Sequence, residues 1–220
     1  MSSAHSSSVA HQFDSAEQQK ESATLGMWLF LVQEVLFFGG LFMTYLLYRW
    51  RDPTAFAAGS HELDILLGGF NTVVLIGSSL TMAMAVHSAQ TDRQKPLVRW
   101  LVATGTLGLV FLVVKYFEYS AKWHHHLIPG ANFHFEGPVG ARAQMFFSLY
   151  FAMTGMHALH MIIGIGILVW ILRRSLRGEF GAGYHNPVEI FGLYWHFVDI
   201  VWIFLFPLLY LIGRHYHGGV

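Results

Sequence analysis

Five stretches of this chain are apolar for 20 residues or more, and most charged residues gather in the connectors between them. The stretches run over about 25–48, 66–86, 97–117, 145–172 and 188–213. An α-helix needs ~20 residues to cross a ~30 Å hydrocarbon layer. In lipid, each spanning segment must satisfy its backbone hydrogen bonds internally, which selects the helix here. The pattern predicts an all-α fold, an integral membrane bundle of five transmembrane helices. Composition agrees: 54% of residues are hydrophobic and only 12% are charged, about half the ~25% usual in soluble domains. Residues 1–23 read as a polar N-terminal tail, and 24–220 as one membrane domain.

Several function classes fall away. The formal net charge is zero, so the electrostatic footprint of a nucleic-acid binder is missing. There are no cysteines, which excludes disulfides, zinc–thiolate sites, iron–sulfur clusters and thiolate copper centres carried by this chain. The tail has no basic n-region, and the apolar run after it is too long for a secretory h-region. No internal repeat is visible, which weakens a secondary-transporter reading.

The informative residues are those a bilayer should reject. Glu34 lies near the middle of the first span, His157 and His160 in the fourth, and His196 and Asp199 in the fifth. A charged side chain at that depth costs about 2.5–3.5 kcal/mol on insertion scales, so such groups face the bundle interior and pair or stay neutral. His157 and His160 are spaced i,i+3, as are His196 and Asp199, which places each pair on one helical face. All five have similar depth and form one midplane cluster if the first, fourth and fifth spans pack together. Such a cluster reads either as a structural hydrogen-bond network or as a proton relay or metal site. The structural reading leads, because pairing is the simplest way to keep polar groups in lipid.

Lesser signals surround this cluster. Glu118 can meet either Lys115 or Lys122 at helical spacing. Tyr45, Tyr48, Trp50, Tyr116, Tyr119, Trp123, Tyr210 and Tyr216 sit at span ends, as an interfacial belt would. Gly39, Gly40, Gly77, Gly105, Gly108, Gly155, Gly164 and Gly166 offer close helix approach. His124, His125, His126 and His134 fall in the third connector, expected as a wet loop at a partner surface.

Four segments carry a resemblance. WLFLVQEVLFFGG, KYFEY, TGMHALHMIIG and NPVEIFGLYWHFVDIVWIFLFPLLY resemble, in order, the motifs of haem-copper oxidase subunit III. The match covers residues 24–213, and the YWHFVD stretch is its most specific part. The resemblance implies an accessory subunit without haem or copper of its own, flanking subunit I beside subunit II, which hold those cofactors. It implies a role in proton uptake and turnover, a structural phospholipid between helices, and possible membership of a respiratory supercomplex. Glu34, Glu118, His157, His160, Glu189, His196 and Asp199 correspond to the polar residues of the family motifs. Arg49, Arg51 and Arg214 are candidate contacts for a lipid headgroup. Larger members have seven helices, and the first two have no counterpart here.

The expected function is subunit III of a proton-pumping cytochrome c oxidase in a bacterial cytoplasmic membrane. A quinol oxidase is the nearest alternative, and a stand-alone proton-coupled transporter is an alternative of another class. Orientation follows from basic residues in the connectors. With the N-terminus inside, Lys20, Arg93, Lys95, Arg99, Arg173, Arg174 and Arg177 are internal, against Arg49, Arg51, Lys122, Arg142 and Arg214 outside. A cysteine introduced at position 3 should therefore resist an impermeant thiol reagent in intact cells, while one at position 218 should react. The reverse labelling pattern would overturn this topology.

Overall fold

The computed structural model describes residues 12–130, 132–136 and 138–211. Within them, α1 (Ala16–Arg51), α3 (Ile65–Gln90), α4 (Gln94–His124), α5 (Gln144–Leu176) and α6 (Asn186–Phe206) are the long helices. Four of the apolar spans fall within one of them, and the fifth begins on α6 and runs past its end. A short helix, α2 (Pro53–His61), lies between α1 and α3. One 3₁₀ turn (Gly140–Ala143) leads into α5, and a π turn (Pro207–Leu211) continues α6. Among the described residues there is no strand beyond one isolated bridge, Gly181 to Tyr184. The protein is a five-span, multi-pass membrane bundle.

Helix ends outrun the apolar stretches. Residues 16–23, read above as tail, are helical, because Ser15 caps α1 by accepting from the Gln18 N–H at 3.1 Å and Glu17 sits in the first turn. A side-chain acceptor and an acidic residue both stabilise a helix N-terminus. At 1.5 Å per residue the 36 residues of α1 extend about 54 Å, so this helix projects beyond the hydrocarbon. Hydropathy alone did not reveal α2. Asp52 initiates it, accepting from the Ala55 N–H at 3.2 Å, with Pro53 at the first position, where a missing N–H costs nothing.

Helices α3 and α4 form a tight antiparallel hairpin closed by Thr91–Arg93, and α6 packs against α3, α5 and α1. Trp195, Trp202, Tyr150, Tyr210, Phe111, Phe146 and Phe147 fill the centre. Side chains such as Leu29, Val35, Leu36, Val73, Leu80 and Ile162 stay outside as a lipid-facing coat. Small residues do not all serve packing. A Cβ on Gly108 would lie 3.0 Å from the Trp195 ring, and one on Gly164 3.1 Å from both Trp195 and Tyr194. These two glycines clasp the indole, whose Nε1–H donates to Ser78 Oγ at 2.9 Å. Gly39, Gly40 and Gly166 meet nothing within 4 Å, so they play no such part.

The end of the bundle that carries α2, the outer end in the topology expected from the sequence, is stitched by side-chain hydrogen bonds. Pro207 has no N–H and widens the helix into the π turn. The carbonyls of Leu208 and Leu209 then accept from Tyr45 Oη at 2.9 Å and Ser60 Oγ at 2.8 Å. Helices α1 and α2 are thereby tied to the end of α6. Tyr45 and Tyr210, assigned above to the interfacial belt, are in fact fully buried, whereas Trp50, Tyr116 and Trp123 are exposed as a belt requires.

The clasp around Trp195 gives a direct test. Gly108→Val should force the indole aside at an overpacking cost of about 1–3 kcal/mol. The heat-induced dissociation midpoint of the complex should fall, while Gly166→Val should leave it unchanged.

Candidate functional site

The ionisable residues of the interior separate into three systems. The most fully bonded lies toward the outer end of α4. Lys115 Nζ donates to Glu118 Oε2 at 2.9 Å and to Tyr210 Oη at 3.0 Å. Tyr150 and Tyr210 donate to Glu118 Oε1 at 2.9 and 2.5 Å. The ammonium also lies 4.9–5.6 Å from the ring centroids of Trp202, Tyr150, Tyr119 and Tyr210. Lys115 and Glu118 are 3% and 4% exposed, so the pair is withdrawn from both lipid and water. Of the two lysines within reach of Glu118, Lys115 takes it, and Lys122 instead donates to the Glu62 backbone carbonyl. Tyr150 and Tyr210 went unrecognised in the sequence, because a tyrosine near a span end gives the same signal whether it faces headgroups or a buried carboxylate.

The second system joins α1 to α5. Glu34 Oε2 lies 3.2 Å from His160 Nε2, with both residues 8% exposed. His160 Nδ1 lies 2.8 Å from the Met156 carbonyl, which can only accept, so Nδ1 carries a hydrogen. One further proton shared between Glu34 Oε2 and His160 Nε2 makes this contact a hydrogen bond. Phe38, at 5.4 Å between ring centroids, and the Tyr194 hydroxyl, on the His160 carbonyl at 2.8 Å, hold this turn in place.

The third system is on α6. His196 Nδ1 lies 2.7 Å from Ser79 Oγ of α3. Asp199 is buried one turn further on beside Ser79, and Asn71 is buried in α3, its side chain without a hydrogen-bond partner among the described residues. His157 is enclosed between Phe111 and Trp202, each 5.3 Å between ring centroids. The five midplane residues thus do not form one cluster. Although i,i+3 neighbours share a face, His157 turns to the core and His160 to α1, and α6 directs His196 toward α3. Among the described residues, no group of three or more His, Asp or Glu side chains is disposed to hold a metal ion.

The remaining motif residues sit at the ends. Glu189, in the first turn of α6, accepts from Gln90 Nε2 at 2.5 Å and lies 3.4 Å from His185 Nε2, closing the inner end of α6 on α3. Gln94 Nε2 donates to the Ser175 carbonyl and ties α4 to α5 at the same end. Arg49 packs against the Tyr45 phenol, and Arg51 is exposed. Arg214 lies outside the described residues. Its bonded acids and bases tie helices of the chain to one another.

The comparisons with known proteins agree with the geometry. The family model for cytochrome c oxidase subunit III matches residues 6–214. The cytochrome c oxidase subunit 3 of Synechocystis sp. is 37% identical over 188 residues, covering 85% of this chain and 74% of that protein. The protein of the same name from Thermostichus vulcanus is 33% identical over 210 residues, covering 95% and 96%. A probable quinol oxidase subunit 3 from Staphylococcus epidermidis is 31% identical over 212 residues, covering 95% and 98%. A match of this extent, together with five spans and buried motif residues, places the chain in the cytochrome c oxidase subunit III family, the accessory subunits of haem-copper oxidases that carry no redox centre of their own.

Proposed function

We propose that this chain is subunit III of a bacterial cytochrome c oxidase, set beside the haem- and copper-bearing subunits I and II in the cytoplasmic membrane. It stabilises the catalytic subunit and sustains its proton uptake, with its N-terminus in the cytoplasm and its C-terminus outside. Structural phospholipid is bound at the outer end, where the exposed Arg51 offers a cation at headgroup level. One observation carries the accessory role: the buried acid of α1 is engaged by His160 of α5 at 3.2 Å, which suits a fastener between helices. The relatives at 37% and 33% identity, both named as cytochrome c oxidase subunits, favour that donor.

A quinol oxidase is the second reading, supported by the 31% identical relative. The donor is a property of the partner subunits. Purification of the native complex decides it: a copper-containing subunit II and turnover with reduced cytochrome c are expected. Turnover with quinol alone would reassign the chain to the other branch.

The role of Glu34 follows from its partner. Glu34→Gln keeps a donor toward His160 Nε2, so the complex should assemble and reduce oxygen at close to its normal rate. Glu34→Leu leaves His160 unsatisfied and should destabilise the bundle by about 1 kcal/mol, the scale of hydrogen bonds between membrane helices. A Glu34→Gln complex that assembles fully yet loses most oxygen reduction would establish a proton relay instead.

A further inference from the structure

At the inner end of the hairpin, α3 and α4 line a groove that neither the motif residues nor the outer arginines account for. Its cavity is about 520 Å³, and its lining includes Met84, His87, Arg93, Arg99, Trp100 and Ala103. Arg93 and Arg99 are exposed, and among the described residues no carboxylate pairs with either. The nearest acid in sequence, Asp92, is turned away. Its Oδ1 points at Gly181, where a Cβ would lie only 2.3 Å away.

The groove is graded from charged to apolar. Arg93 stands at the N-cap of α4, and Arg99 about one and a half turns deeper, a depth from which an arginine reaches back to the interface. His87 closes the α3 side of the mouth. Below them Pro96, Trp100 and Ala103, spaced i,i+4,i+7, make an apolar strip on α4 facing Met84. The strip continues to Leu107, one turn beyond Ala103, and on α3 to the exposed Leu80, one turn before Met84. Two unpaired guanidiniums above an apolar channel complement a phosphate joined to acyl chains.

We propose that this groove binds one anionic phospholipid, its phosphate between Arg93 and Arg99 and an acyl chain along Pro96, Trp100, Ala103 and Met84. Guanidinium suits the phosphate because its planar fork gives paired donors. The site is at the opposite end of the bundle from Arg51, so its failure would leave the outer-end lipid and the accessory role untouched.

The test uses the intact oxidase complex, extracted in mild detergent and supplied with phosphatidylglycerol, phosphatidylcholine or inorganic phosphate, with bound lipid counted by native mass spectrometry. Haem content and subunit stoichiometry confirm assembly of each variant. The Arg93→Gln/Arg99→Gln complex should retain one phosphatidylglycerol fewer than the parent, with at least a tenfold loss of affinity at that site. Ala103→Trp, which fills the floor and keeps both arginines, should lose the same lipid. Lys95→Gln, which removes a cation outside the groove, should retain it. An unchanged count in the double variant overturns the proposal. So does loss on arginine removal alone with Ala103→Trp unaffected, which marks a site that holds no acyl chain, or displacement by millimolar inorganic phosphate, which marks a plain phosphate site.

Discussion

An ion pair sealed inside a membrane bundle organises the outer half of this molecule. Lys115 and Glu118 are one helical turn apart, and their isolated charges would be expelled from lipid. The pair persists because further donors and acceptors converge on it: Tyr150 from α5 and Tyr210 from the π turn after α6. Four aromatic rings surround the ammonium, and cation–π attraction is strongest where water is excluded. The consequence is geometric. For Tyr210 to reach Glu118, the chain beyond Phe206 must turn inward, and Pro207 with the widened turn brings this about. In that turn the carbonyls of Leu208 and Leu209 accept from Tyr45 and Ser60, drawing α1 and α2 onto the same end.

The midplane and the inner end hold by smaller means. Glu34 and His160 join α1 to α5 by one contact, and α1 is otherwise lightly packed: only Glu34, Phe38 and Tyr45 of its 36 residues are buried. The clasp of Gly108 and Gly164 on Trp195 lets α4 and α5 approach α6 closely where no ion pair acts. At the inner end Gln90, Glu189 and His185 join α3 to α6, while Arg174 closes on Glu179 at 2.6 Å and covers Trp170 and Phe180. Hydrophobic burial does not drive association among helices already in lipid, so packing and these specific polar contacts set their arrangement.

Much of this was legible in the sequence, for physical reasons that also explain the rest. Span number and placement follow from hydropathy, because the bilayer tolerates so few alternatives. Buried ionisable residues stand out against an apolar background, so Glu34, His160 and Glu118 were found. Their partners were harder to find. The i,i+3 spacing of His157 and His160 suggested one cluster, but 60° of helix rotation is enough to send them to different neighbours. Tyr150 and Tyr210 were hidden because a phenol is at home both at an interface and in a core. Helix α2 was hidden because nine residues that begin with a proline carry little hydropathic signal, and its burial depends on Phe146 entering beside Gly59.

The central claim is that Lys115 and Glu118 act as one unit that anchors the ends of α5 and α6 to α4. A double-mutant cycle of Lys115→Met, Glu118→Met and the combined variant measures it, read as the midpoint for heat-induced loss of this subunit from the complex. Breaking a buried pair costs about 3–5 kcal/mol, while replacing both partners by apolar groups is often near neutral. Each single variant should therefore dissociate at a markedly lower temperature, and the double variant should recover much of the loss, with a coupling energy of about 2–3 kcal/mol. Single effects that simply add in the double variant would contradict the account.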